Sequence, residues 1–336
     1  MGEKIVIAVD CAGGDYAPHE MVKGAIEATE EYKVDVALVG RKAVLGKIAR
    51  HYATTSTFEI IEASQSISCD ESPAEAVRSK PDSSIVVGIN LVRDGVASAF
   101  VSAGNTGAVL CAALFNLHRV KGIERPALCG IIHTNSAAPV LLVDAGANAD
   151  CRPGFLVQFA QLGAFFARGI LGIEVPRVGL LNNGMEEVKG NLLARESYQL
   201  LKNTSLNFIG NIEGQEILRG KADVIVTDGF TGNIVLKTLE GLGDTLHNFV
   251  EEDQATGIGH NLQGSALVSY AQLDSMARRM NYEEYGGASL LGINGNVVVA
   301  HGRSRAKAMK NAIHLAHRAA HMKTFEAIKE GQYLAR

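Results

Sequence analysis

The chain has 336 residues and a formal net charge of −4 at pH 7, and 47% of its residues are hydrophobic although only 6% are aromatic. This length and composition predict one α/β domain spanning residues 1–336, and the small negative charge gives no indication of nucleic-acid binding. The five cysteines lack Cys-x-x-Cys spacing, which argues against a disulfide framework or a zinc site and favours a reducing cytoplasm.

Alternation of apolar runs with helical segments predicts a mostly parallel, doubly wound sheet. Residues 5–10 are predicted to form the first strand and residues 20–31 an amphipathic helix. The run 85–87 has the composition of a buried strand, but residues 84–94 as a whole are predicted to be helical because Gly and Asn follow it. Further strands are predicted at 34–39, 58–61, 97–101, 127–133, 140–144, 178–181, 207–209, 222–227 and 297–300, and further helices at 41–51, 155–168 and 190–202.

Residues 242–280 differ from this alternation and predict a protruding helical hairpin around a Gly-rich turn at 256–259. Two interpretations stay open. The hairpin completes a core or a dimer interface, which we favour, or its apolar tip touches a membrane surface. Elsewhere no apolar stretch is expected to span a bilayer.

Two Gly-rich turns are the most informative features. Residues 228–233 (DGFTGN) follow an apolar strand and open a helix, and residues 102–108 (SAGNTGA) repeat the arrangement. A helix N-terminus presents free N–H groups and a positive dipole, so each turn favours an anion such as phosphate. Two such turns predict that phosphate is a substrate.

Polar clusters follow several other predicted strands. If all the strands ran in one direction, these clusters would meet at one edge of the sheet and line a single cleft. Each could instead be structural, as a helix cap or a turn. The clusters are Asp10 with Gly13, Gly14 and Asp15; Asp144 with Asn148; Asn182 and Asn183 with Glu186 and Lys189; and His301 with Arg303 and Ser304.

Other common motifs are missing, and one segment is strongly basic. There is no Gly-x-Ser-x-Gly elbow, no Walker A motif and no Gly-x-Gly-x-x-Gly fingerprint, so a serine hydrolase, a P-loop enzyme and a nicotinamide site are poorly supported. Residues 301–323 hold six Lys or Arg and no Asp or Glu. That segment is either a solvated helix face or a docking surface for an acidic partner.

Seven segments together resemble the bacterial acyl-ACP:phosphate acyltransferase family, PlsX, from end to end. They are DCAGGDYAP (10–18), SAGNTGA (102–108), DAGAN (144–148), PRVGLLN (176–182), FIGNIEG (208–214), DGFTGNIVLK (228–237) and EYGGA (284–288). The resemblance implies a fold like those of phosphate acetyltransferases and isocitrate-dehydrogenase-like enzymes, a homodimer, and no metal or organic cofactor. It also implies that inorganic phosphate takes a long acyl chain from acyl carrier protein. The acyl phosphate would then feed a membrane acyl-phosphate:glycerol-3-phosphate acyltransferase, and the enzyme would be cytoplasmic or peripheral on the inner face of the cell membrane.

The reaction expected from this resemblance needs positioning and oxyanion stabilisation more than a catalytic triad. We expect Lys189 to supply charge, Asn233 to donate to the phosphate or the oxyanion, and His301 to protonate the leaving thiolate. Arg278, Arg279, Arg303 and Arg305 are the candidates for docking the acidic carrier protein. The phosphate is expected on Gly104, Asn105, Thr106 and Gly107 and on Phe230, Thr231, Gly232 and Asn233, with Gly229 in the same turn and Asp228 orienting its neighbours.

Three rival functions stay open. They are a phosphate acetyltransferase that uses a short acyl-CoA, an NAD(P)-dependent decarboxylating dehydrogenase, and a non-catalytic scaffold for lipid enzymes. The missing dinucleotide fingerprint disfavours the dehydrogenase, and the intact donors of the two Gly-rich turns disfavour the scaffold.

Overall fold

The computed structural model describes residues 4–52, 58–133, 138–256 and 282–331, and statements below about what is absent apply to those residues. Its strands are β1 Val6–Asp10, β2 Asp35–Gly40, β3 Glu59–Glu62, β4 Ala99–Ser102, β5 Ala127–Ile132, β6 Val140–Val143, β7 Val178–Asn182, β8 Phe208–Glu213, β9 Val224–Val226, β10 Gly287–Leu291 and β11 Asn296–Ala300. Its helices are α1 His19–Tyr32, α2 Lys42–His51, α3 Pro73–Ser79, α4 Ser84–Arg93, α5 Thr106–Asn116, α6 Pro153–Phe166, α7 Leu192–Lys202, α8 Gly214–Ile217, α9 Gly229–Thr256, α10 Ala306–His321 and α11 Thr324–Lys329.

The strands form one sheet in the order β3-β2-β1-β4-β11-β10-β5-β6-β9-β7-β8. Seven of its ten strand pairs are parallel, which confirms the predicted mostly parallel sheet. The three antiparallel pairs, β11 with β10, β10 with β5 and β5 with β6, lie together at the centre.

These central pairs reverse the direction of the sheet. β1, β4 and β11 end at one edge, which we call the first edge, whereas β6, β9 and β7 end at the opposite edge, the second edge. The expectation that all the polar loops share one edge is therefore wrong. The 102–108 turn lies at the first edge and the 228–233 turn at the second.

Helices cover both faces of the sheet, as the doubly wound prediction requires. On one face α1, α6 and α10 pack over a core that includes Met21, Phe159 and Met309. On the other face α4 and α5 pack around Phe100, and α9 packs beside them on β5 and β6. Gly88 of α4 lies so close to the Phe100 ring that an added Cβ would stand 2.1 Å from it, so only glycine fits there.

Several predicted boundaries move in the structure. The run 85–87 lies in α4, where Ser83 caps the helix by accepting the Val86 N–H, so its helical interpretation is confirmed and its strand-like composition was misleading. The predicted hairpin does not start a new helix at residue 242, because α9 runs unbroken from Gly229 to Thr256. The rest of the hairpin, residues 257–281 with Arg278 and Arg279, lies outside the described residues.

One helical stretch, Pro153–Leu171, is long and apolar enough to cross a membrane, contrary to the expectation from the sequence. It comprises α6 and the π-helical turn Ala167–Leu171. More than half of its apolar window, 56%, is buried inside the molecule. That burial is typical of a core helix packed against a sheet.

Candidate active site

At the first edge, the Asp10 carboxylate organises the loops that follow β1 and β4. Its Oδ1 accepts the N–H groups of Ala12 (2.9 Å) and Gly13 (3.1 Å), and its Oδ2 accepts the Ser102 hydroxyl at 2.7 Å. The Ser102 Oγ in turn accepts the Gly104 N–H at 3.0 Å. Asp10 is fully buried, so it holds the two loops together and does not face the solvent.

The 102–108 turn ends in the capped N-terminus of α5. The Asn105 side chain accepts the Ala108 N–H at 3.0 Å, and its amide nitrogen donates to carbonyl groups of the 68–71 loop. The N–H groups of Thr106 and Gly107 have no acceptor within the described part of the chain. The first turn of α5 therefore offers two N–H donors to a ligand.

At the second edge, the Asp144 carboxylate organises the loop that follows β6 and ties it to β5. Its Oδ1 accepts the N–H groups of Leu128, Gly146 and Ala147 at 2.9–3.0 Å. Its Oδ2 accepts both the backbone N–H (2.7 Å) and the side-chain amide (2.8 Å) of Asn148. Burial raises the pKa of the Asp144 carboxyl, and the N–H donors oppose that rise.

The 228–233 turn is less open to an anion than its sequence indicates. The Asp228 carboxylate accepts both the N–H and the hydroxyl of Thr231, at 2.8 and 2.9 Å. The Gly229 N–H donates to the Asn148 carbonyl, and the Gly232 N–H donates to the Asp228 carbonyl. Most donors of this turn thus have intramolecular partners.

A cavity of about 350 Å³ lies between α5 and α9 over the central strands. Thr106 and Gly107 of the first-edge turn line it, and so do Gly146 and Asn233 at the second edge. The cavity therefore connects the two edges across the face of the sheet. Its walls are mainly apolar side chains from α5, α9, the strands and the end of α8. They are Leu110, Leu128, Ile131, Ile132, Leu218, Leu236, Leu239 and Val299.

A polar stripe on α9 faces this cavity. Asn233, Lys237 and Glu240 are spaced four and three residues apart and therefore lie on one side of the helix. Lys237 is exposed and forms no ion pair with any described residue, so its charge is available to a ligand. The sequence analysis missed Lys237 and Glu240, although helical periodicity counted from Asn233 would have found both.

The predicted proton donor His301 also lines the cavity, but both of its ring nitrogens have partners. Its Nδ1 accepts the Arg303 N–H at 3.2 Å, which assigns the proton to Nε2, and Nε2 lies 3.4 Å from the Glu240 carboxylate. Arg303 pairs with Asp244, one turn further along α9. The loop after β11 is thus fixed to α9 by two charged side chains of that helix.

A pair of aromatic side chains, Tyr285 and His133, forms another part of the cavity wall. The Tyr285 hydroxyl lies 3.0 Å from the His133 Nδ1, and the two ring centroids are 4.0 Å apart. Burial raises the pKa of Tyr285, so its hydroxyl stays protonated at neutral pH. Both residues line the cavity, and neither was predicted as a site residue, although Tyr285 lies in the segment 284–288 that carries the family resemblance.

The structure distributes the sequence-predicted site residues over three locations. Thr106, Gly107, Asn233 and His301 line the cavity. Lys189 lies on the exposed loop after β7 at the second edge and does not line the cavity. The others lie at strand ends, in the loops that follow them and in the first turn of α9: Asp10, Gly13, Gly14, Asp15, Gly104, Asn105, Asp144, Asn148, Asp228, Gly229, Phe230, Thr231 and Gly232.

Half of the six basic side chains in residues 301–323 pair with acidic neighbours, and Arg303 with Asp244 is one of these pairs. Lys307 pairs with Glu284 and Lys310 with Glu31, at 2.5 and 2.7 Å. Arg305 lies over the Tyr16 ring, 4.6 Å from its centroid, and keeps its charge at the surface.

The described residues contain no cluster of three His, Cys, Asp or Glu side chains arranged to hold a metal ion.

Comparison with known proteins agrees with this architecture. Residues 5–326 match the family model described as fatty acid synthesis protein. The chain is 55% identical over 316 residues to a phosphate acyltransferase of Dehalococcoides mccartyi, covering 94% of this chain and 91% of that protein. It is 46% identical over 323 residues to a phosphate acyltransferase of Pelotomaculum thermopropionicum, covering 96% and 94%.

Solved structures with the same fold include phosphotransacetylases. One from Streptococcus pyogenes has a TM-score of 0.63 at 18% identity, and the EutD phosphotransacetylase from Staphylococcus aureus has 0.62 at 16%, each covering 94% of both chains. At these identities the likeness establishes the fold alone. The family match and the close relatives establish more: the chain belongs to the PlsX family of fatty acid synthesis proteins, as a phosphate acyltransferase.

Proposed function

We propose that this phosphate acyltransferase transfers a long fatty acyl chain from acyl carrier protein to inorganic phosphate, giving acyl phosphate for phospholipid synthesis. The observation that carries the proposal is the cavity between α5 and α9, which combines apolar walls with a short polar stripe. Apolar walls suit an acyl chain, and a few convergent polar groups suit the reacting phosphate.

The phosphate would lie where the first turn of α5 faces the α9 stripe. Thr106, Gly107, Asn233 and Lys237 all border the same space, and the N–H groups of Thr106 and Gly107 have no acceptor among the described residues. A helix N-terminus and a lysine are complementary to a phosphate dianion. Lys237 thus takes the role that the sequence analysis gave to Lys189, and Lys189 remains the alternative at the second edge.

The chemistry follows from these groups. A phosphate oxygen attacks the thioester carbonyl carbon, and the carbonyl oxygen becomes an oxyanion that N–H donors and Lys237 would stabilise. The C–S bond then breaks, the acyl group stays on phosphate, and the carrier thiolate takes a proton. His301 has its proton on Nε2 beside Glu240, so it could give that proton to the thiolate only by exchanging its Glu240 contact.

The donor would be acyl carrier protein, because an exposed cation, Arg305, follows the cavity residue His301 by four positions. Arg305 stands over Tyr16 with its charge exposed, whereas Arg303 is held by Asp244 and contributes less. Carrier proteins are acidic, and complementary charge speeds such encounters. We further propose a homodimer and a peripheral contact with the cytoplasmic face of the membrane, where a glycerol-3-phosphate acyltransferase would consume the acyl phosphate.

The decisive experiment incubates the purified protein with hexadecanoyl carrier protein, with and without phosphate, in the presence of EDTA. Hydroxylamine traps acyl phosphate as the hydroxamate, and free carrier thiol is titrated in parallel. Phosphate-dependent hydroxamate equal to the thiol released supports the proposal. If only acetyl-CoA gave product, the protein would instead be a short-chain phosphotransacetylase. If neither donor gave product, the result would favour a non-catalytic scaffold.

A further inference from the structure

Five glycines line the cavity: Gly107, Gly130, Gly146, Gly286 and Gly287. Four of them have a reason to be glycine that is independent of any ligand. A Cβ at Gly107 would stand 2.6 Å from Pro73, and one at Gly287 would stand 2.7 Å from the Val299 carbonyl oxygen. Gly146 and Gly286 have positive φ angles of 142° and 75°, which side chains rarely adopt.

Gly130 has no such reason. It lies in the middle of β5, opposite Leu142 of β6, and its φ is not positive. A Cβ built there would stand 3.4 Å from the Ala145 Cβ and 3.6 Å from a Leu236 methyl group, which are ordinary van der Waals distances. Glycine inside a strand makes the folded protein less stable than alanine would, so the glycine at position 130 needs another explanation.

The direction of the missing side chain supplies that explanation. Side chains two residues apart in a strand share a face, so a side chain at 130 would project beside Leu128 and Ile132. Both of these residues line the cavity, as do Ala145 and Leu236, the residues that the added Cβ would contact. Any side chain at position 130 would therefore occupy cavity space between α9 and the sheet.

We propose that Gly130 determines the length of acyl chain that the cavity accepts, by leaving open the space that a strand side chain would fill. This inference rests on the proposed transfer of a long acyl chain. A methyl group at 130 would displace about one methylene of the chain, and a valine would displace more. Each methylene that loses its apolar surroundings should cost about fourfold in kcat/KM.

The test compares Gly130→Ala and Gly130→Val with wild type, using octanoyl, dodecanoyl and hexadecanoyl carrier protein as donors. Gly46→Ala is the matched control, because Gly46 lies outside the cavity and an added Cβ there would meet only an Ile60 methyl group, at 3.9 Å. We expect the ratio of hexadecanoyl to octanoyl kcat/KM to fall at least about fourfold in Gly130→Ala and further in Gly130→Val. The octanoyl rate and the Gly46→Ala profile should stay near wild type.

Thermal unfolding monitored by circular dichroism identifies variants that do not fold, and the alanine variant decides the matter if valine does not fit. An unchanged chain-length ratio in a folded variant would overturn the inference, and so would an equal loss for all three chains. Failure of the proposed function has a different signature, because wild type itself would then make no acyl phosphate from carrier protein. If wild type uses acyl-CoA instead, the same ratio measured on acyl-CoA donors tests Gly130.

Discussion

Replacing Lys237 tests where the phosphate binds. Lys237 is the lysine that lines the cavity, one helical turn from Asn233, and it forms no ion pair with the residues the structure describes. Lys237→Met keeps most of the aliphatic stem and removes the charge. Lys237→Arg keeps the charge but changes the geometry of the donor, since a planar guanidinium replaces a compact ammonium.

The expected loss follows from the position of Lys237 between cavity and solvent. Two unit charges 4 Å apart interact by about 1 kcal/mol in a water-like medium and about 4 kcal/mol at an effective dielectric constant near 20. The exposed Lys237 lies between these limits. We therefore expect Lys237→Met to lower kcat/KM for phosphate by about 10- to 100-fold, since each 1.36 kcal/mol is tenfold.

The assay measures kcat/KM for phosphate at saturating acyl donor, with hydroxamate as the readout. Lys47→Met is the control, because Lys47 is an exposed lysine on α2 that does not line the cavity. Lys189→Ala is measured beside it. If Lys237→Met kept more than half of the wild-type kcat/KM and Lys189→Ala lost activity, the phosphate would belong to the second-edge loop and our placement would be wrong.

Three further predictions concern stability and docking. Asp144→Asn should lower the free energy of unfolding by about 2–4 kcal/mol, because it replaces one buried carboxylate oxygen by an amide NH2 that faces N–H donors, and a loss below about 1 kcal/mol in urea titration would contradict this account. Burial raises the pKa of Asp223, but its bonds to Arg177 outweigh this effect and hold the pKa below its usual value. Asp223→Asn should therefore lower the free energy of unfolding by its full amount above about pH 4, and the difference from wild type should shrink as the pH falls further. A difference from wild type that grew on acidification would have the wrong sign. Arg305→Ala should raise the KM for carrier protein about two- to fivefold at low salt and have no effect at high salt, and a salt-independent change would exclude electrostatic docking.

The secondary structure was largely predictable because the buried apolar runs along this chain are bounded by Gly-rich turns that mark where each strand ends. Strands such as β1 and β9 are continuous apolar runs that end at a Gly-rich turn, and the structure places them within one or two residues of the prediction. The membership of the active site was less predictable. Asp10, Asp144 and Asp228 accept hydrogen bonds from N–H groups of their own loops. The sequence does not distinguish such a structural carboxylate from one that binds a ligand.

The largest error concerned strand direction, and the sequence contained the information needed to avoid it. Only six residues separate the predicted strands 127–133 and 140–144, and a parallel pair requires a crossover of about a dozen residues or more. A short connection therefore makes β5 and β6 antiparallel, and every strand that runs parallel to β6 must end at the second edge. The two Gly-rich turns then fall on opposite edges of the sheet. They can serve one reaction only through an element that spans the sheet, and α9 is that element, since it begins in the second-edge turn and reaches His301 at the first edge through Glu240.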